Sequence, residues 1–102
     1  MRRFHPVCAV EQLEPGCARL VRIGEKEIAL FNVAGEYFAI EETCLHAGGP
    51  LHEGTIEGCS VRCPFHDWLF DLETGRCDLN PKVRLDRYPV RVRAGRIEVF
   101  AG

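Results

Sequence analysis

Two short segments concentrate the groups able to hold a soft metal: Cys44, Leu45, His46 and Cys63, Pro64, Phe65, His66. Sixteen residues separate His46 from Cys63. Each segment offers one thiolate and one imidazole within a single tight loop. Two such loops would bring two sulfurs and two nitrogens to one place. That donor set suits a tetrahedral zinc ion as well as an iron–sulfur centre. Zinc modules, however, usually present their cysteines as one close pair and their histidines as another. The order here is Cys-His and then Cys-His, so each loop supplies mixed ligands. That order makes sense if the cysteines converge on one metal atom and the histidines on a second. A zinc-stabilised interaction domain with no redox role stays open as the alternative.

Something rigid must hold these loops, and the flanking sequence reads as β-structure. Phe4 to Val10 is a first strand, and EQLEPG after it is a turn closed by Pro15 and Gly16. Cys17 to Ile23 alternates apolar and polar side chains, Gly24 and Glu25 turn the chain, and Lys26 to Val33 follows. Ala34 and Gly35 make another turn before Glu36 to Ile40. Near the other end, Tyr88 to Arg93 alternates, Ala94 and Gly95 turn, and Arg96 to Phe100 closes a last hairpin. This is the period-2 pattern of hairpins, with no helical periodicity to compete with it. The middle of the chain differs: Gly48, Gly49, Gly54, Gly58 and Gly75 punctuate it too closely for long strands. It reads as a loop-rich lobe at about 43–82, inserted into a β scaffold at about 1–42 and 83–102.

A chain of 102 residues suits one small domain with a modest core, and a bound metal cluster would supplement it. Formal charge is −2, with 13 Lys and Arg against 15 Asp and Glu, which argues against nucleic acid as a partner. Arg84, Arg87, Arg91, Arg93 and Arg96 make the C-terminal part locally basic. They read as a solvated strand surface, with a docking patch for an acidic partner as the alternative. No apolar run reaches the roughly 18 residues of a membrane span, and the arginines of MRRFHPVCAV precede no apolar signal core. The expected location is therefore the cytoplasm, where cysteine more often binds metal than forms disulfides.

The segment CLHAGGPLHEGTIEGCSVRCPFHDWLFDLETGRC resembles the cluster-binding region of Rieske-type ferredoxins and of the small subunit of NADH-dependent nitrite reductases. The resemblance is specific over residues 43–77. It implies an all-β fold, an antiparallel β-sandwich base carrying a small cluster-binding lobe. It also implies one [2Fe–2S] cluster, one iron held by Cys44 and Cys63 and the other by His46 and His66. Neutral imidazoles in place of two thiolates raise the potential, and the incoming electron should settle on the histidine-bound iron. In the family the two rings face solvent, so His46 and His66 would also be the electron's exit route. No catalytic site of the chain's own is expected.

Departures from the respiratory branch of that family are informative. That branch carries a further cysteine in each ligand loop, and the two form a disulfide. The matching positions here are Gly49 and Phe65. Its serine and tyrosine hydroxyls, which donate to the sulfurs, correspond to Trp68 and Phe70. The resemblance therefore implies a low-potential carrier working between a flavoprotein reductase and a terminal oxygenase, or alternatively beside a nitrite reductase large subunit. His52 reads as a loop histidine making ordinary hydrogen bonds. Cys8, Cys17, Cys59 and Cys77 read as small apolar residues or free thiols, with a Cys59–Cys77 disulfide as the alternative. Trp68 and Phe70 would pack the lobe on the base, Gly48, Gly49 and Pro50 would shape the first loop, and Pro81 would belong to a covering loop.

Overall fold

The computed structural model describes residues 3–43, 48–65, 68–80 and 82–101. Ten strands account for most of them: β1 (Arg3–Ala9), β2 (Ala18–Ile23), β3 (Lys26–Val33), β4 (Glu36–Glu41), β5 (Thr55–Glu57), β6 (Ser60–Arg62), β7 (Leu69–Asp71), β8 (Arg87–Tyr88), β9 (Val90–Arg93) and β10 (Arg96–Ala101). Two single turns of 3-10 helix, Val10–Gln12 and Leu51–Glu53, complete the regular structure. All strand pairing is antiparallel, in three sheets ordered β1-β10-β9, β2-β3-β4-β8 and β5-β6-β7. Among the described residues no helix is long and apolar enough to cross a membrane.

The middle sheet is buried on both faces, and the apolar run Ile28–Phe31 in β3 makes this possible. Successive side chains of a strand point to opposite faces. Ile28 and Leu30 join Val21, Ile23, Ala39, Ile97 and Val99 in one core, which seals the first sheet onto the second. Ala29 and Phe31 join Ile40 on the other side, where Leu51, Val61, Phe70, Leu72, Cys77 and Leu85 cover them. The small third sheet, within residues 55–71, is thus fastened to the scaffold by a second apolar core.

Tight turns fix the register of the scaffold. Ala34–Gly35 and Ala94–Gly95 both take positive φ at each residue, the two-residue geometry whose twist matches the flanking strands. Buried Asn32 ties the preceding loop to this hairpin, donating from Nδ2 to Leu13 O at 2.8 Å and accepting from Gly35 N at 2.9 Å.

One expected strand is two. The segment 88–93 breaks at Pro89, which has no N–H to donate to a ladder. Before it, β8 pairs with β4 in the second sheet; after it, β9 pairs with β10 in the first. The proline is where the chain changes sheets. In the lobe the strands are three residues each, as the close glycine spacing suggested. Gly75 closes the turn after β7 at φ +79°, with the space for a β-carbon already taken by Leu85 O at 2.3 Å.

Candidate metal centre

Of the four expected ligands, Cys63 lies among the described residues; Cys44, His46 and His66 lie outside them, as does Pro81. What the structure shows is how the two loops are held. The first hangs from a pinned neck: Thr43 bridges Pro50, and Leu51 N donates to Glu42 O at 2.8 Å. The second is closed at its base by Arg62 opposite Leu69 in the β6–β7 ladder and by Cys63 N donating to Trp68 O at 2.9 Å. Both loops therefore leave rigid strand ends, and each expected ligand falls within a few residues of such an end.

The loops also meet. A β-carbon placed on Gly49 would stand 2.7 Å from Cys63 Sγ and 3.4 Å from Phe65 Cβ. The first loop thus lays bare backbone against the thiol of the second. Positions 49 and 65 face one another, as the resemblance requires, and Gly and Phe there preclude a disulfide. Cys63 is 4% exposed within the apolar core shared with Val61 and Phe70. Phe70 is fully buried, and Trp68 packs half-buried on the same core, their ring centroids 6.5 Å apart. Outward from this floor, Pro64 is exposed and Phe65 is 64% exposed. A buried thiolate donor below, side-chain-free backbone beside it and a solvent-facing loop tip above fit a cluster bound at the lobe's edge.

Residues 3–89 match the family model for the Rieske [2Fe-2S] domain. The chain belongs to the Rieske [2Fe-2S] domain family. One [2Fe–2S] cluster is the cofactor of that domain, and zinc gives way to it. The ferredoxin CarAc of Metapseudomonas resinovorans is 37% identical over 95 residues, covering 91% of this chain and 89% of that protein. Among solved structures, a chain from the complex of reduced oxygenase and oxidized ferredoxin in carbazole 1,9a-dioxygenase superposes with a TM-score of 0.86 at 35% identity. It covers 94% of this Rieske chain and 91% of that one. A Mycobacterium tuberculosis protein described as an NADH-dependent nitrite reductase small subunit superposes with a TM-score of 0.92 at 27% identity, over 100% and 97% of the two chains.

Other candidates resolve individually. His52 does make a hydrogen bond, but to a partner the sequence did not suggest, the buried carboxylate of Glu42: Nδ1 lies 2.5 Å from Oε2. A carboxylate one turn before a ligand loop and a histidine just after it were the available signal. Cys8 and Cys77 are buried, Cys59 half-buried and Cys17 exposed, none in a disulfide. Burial, and then Glu73 beside it, push the Cys59 thiol up to about 11. The C-terminal arginines are strand surface: Arg91 pairs with Glu98 at 2.6 Å and lies over the Phe4 ring, and Arg93 and Arg96 are exposed opposite one another.

Proposed function

We propose that this Rieske chain is a low-potential ferredoxin that passes single electrons from a flavoprotein reductase to a terminal oxygenase. Cys44 and Cys63 would hold one iron and His46 and His66 the other. A cluster held there would supply one-electron redox chemistry. The observation that carries the reading is the meeting of Gly49 with Cys63 Sγ, which lays the backbone just after the first motif against the start of the second. Cys63 and Phe70 close the inner side of that site against water. The exposed Phe65 beside His66 leaves its outer side accessible to a protein partner. The similarity to the carbazole 1,9a-dioxygenase complex of reduced oxygenase and oxidized ferredoxin supports an oxygenase as that partner. Unpaired thiols at Cys8, Cys17, Cys59 and Cys77 support a reducing, cytoplasmic location.

The superposition on the nitrite reductase small subunit supports a second reading, a non-catalytic redox subunit beside a nitrite reductase large subunit. Visible and paramagnetic-resonance spectra of oxidised and reduced protein test the shared part. Colourless protein with stoichiometric zinc after anaerobic preparation would overturn it. Reoxidation of the reduced protein by an oxygenase, but not by a nitrite reductase, selects the first reading.

A further inference from the structure

Glu42 and His52 bracket the first ligand loop, and the structure fastens them to each other by side chain as well as backbone. Glu42 is 5% exposed, and Asn32 and Glu42 are the buried polar residues among those described. Burying a carboxylate is costly unless its oxygens are hydrogen-bonded. Here Oε1 accepts from His52 N at 2.9 Å, and Oε2 accepts from His52 Nδ1 at 2.5 Å. The backbone on the other side is equally fixed, with Glu42 N donating to Glu27 O at 3.1 Å in β3.

Among the described residues the backbone fastens this neck by the Thr43–Pro50 bridge and by Leu51 N donating to Glu42 O at 2.8 Å. Pro50 has no N–H, so at that bridge one of the usual ladder donors is lacking. The Glu42 carboxylate supplies the missing fastening from one strand end, and His52 takes both of its oxygens from the other.

We propose that the Glu42–His52 pair is a positioning clasp for Cys44 and His46. It holds the two ends of their loop at one spacing and so sets the geometry in which thiolate and imidazole meet the iron. This rests on the ligand assignment above. Neither Glu42 nor His52 touches the metal; both act through the loop between them.

The test compares cluster-loaded His52→Ala, Glu42→Ala, the double variant and His52→Asn with the parent protein. Asparagine keeps a donor at the place of Nδ1, so it should restore the clasp. Asn32→Ala, which loosens the scaffold far from the loop, is the control for general destabilisation. The readouts are the rate of bleaching by an iron chelator, the paramagnetic-resonance spectrum of the reduced protein and the reduction potential. Both alanine variants should bleach faster by about tenfold, the factor one lost hydrogen bond corresponds to. They should show an altered spectrum and potential, and the double variant should be no worse than either. His52→Asn should return all three readouts to the parent's, and Asn32→Ala should leave spectrum and potential unmoved. The same holds if the alanine variants yield no loaded protein while His52→Asn does. Parent-like behaviour of His52→Ala, failure of His52→Asn to rescue, or the same spectral change in Asn32→Ala would overturn the clasp. A parent protein that keeps its cluster after Cys44→Ser removes the ligand assignment itself, and this is seen before any clasp variant is compared.

Discussion

Gly49 presents bare backbone to Cys63, leaving 2.7 Å between the thiol sulfur and the place a β-carbon would occupy. A sulfur at the end of a free side chain could swing aside for an added methyl group. A sulfur bonded to iron could not. Gly49→Ala should therefore act mainly on the loaded protein, with an overpacking cost of about 1–3 kcal/mol. The expected outcome is lower iron content after reconstitution and faster bleaching, with the far-ultraviolet dichroism of the β scaffold kept. Full occupancy and parent-like bleaching would show that the two loops need no such close approach.

The ligand assignment predicts that Cys44→Ser, His46→Ala, Cys63→Ser and His66→Ala each abolish the visible spectrum, whereas cluster-loaded His52→Ala and His52→Asn keep its overall shape. The parent protein should contain iron and acid-labile sulfide in equal amounts. Short strands and close turns give the lobe little core of its own, so metal binding should contribute to its folding. Loss of colour should therefore accompany a lower melting temperature. Metal analysis and thermal melts check both parts, and a His66→Ala protein that stays brown would refute the assignment.

Much of this arrangement was legible in the residues. Lys26–Val33 was readable as β3 to the residue, because turn residues bound an uninterrupted strand-forming run. The Cys-His order pointed to a two-metal centre because ligand chemistry depends on residue type and spacing, both visible in sequence. The sheet change at Pro89 was not legible as such: alternation continues across 88–93, and only the missing N–H shows where the two ladders part. Nor was the Glu42–His52 pair, since the two lie ten positions apart and pairing across a loop is a fact of three dimensions. That β3 is buried on both faces was not read from Ile28–Phe31, because the cover for its second face comes from the lobe, far along the chain.

The thiols should differ in reactivity. Burial first, then the Glu73 carboxylate 3.7 Å away and the further charges of Asp71 and Glu36, push Cys59 up to about 11. The thiolate is the nucleophile, so Cys59 should be sluggish near neutral pH and gain reactivity only as pH approaches that value. Exposed Cys17 should be alkylated first at pH about 8. Mass spectrometry of briefly alkylated native protein reads the order directly. Equal labelling of Cys59 and Cys17 at that pH would contradict it.

The potential should lie near the bottom of the Rieske range of about −150 to +300 mV. Positions 49 and 65 face each other yet hold Gly and Phe, so no disulfide links the ligand loops. Phe70 is wholly buried in the apolar floor beneath Cys63 and has no hydroxyl to donate to sulfur. Fewer donors to sulfur leave the more negative reduced state less stabilised, which lowers the potential. The same argument fixes the pH dependence. An imidazole bound to ferric iron loses its outer proton more readily than a free one, and reduction weakens that pull and raises the ring's pKa. Potential therefore falls with pH only between the oxidised-state and reduced-state pKa values. A low-potential centre holds more electron density on the iron, so its oxidised-state pKa should lie above neutrality. Voltammetry should show a flat potential through neutral pH and a decline only in alkali. A value well above zero that already falls near pH about 7 would place the protein with the respiratory branch. It would also refute the inference drawn from Gly49, Phe65 and Phe70.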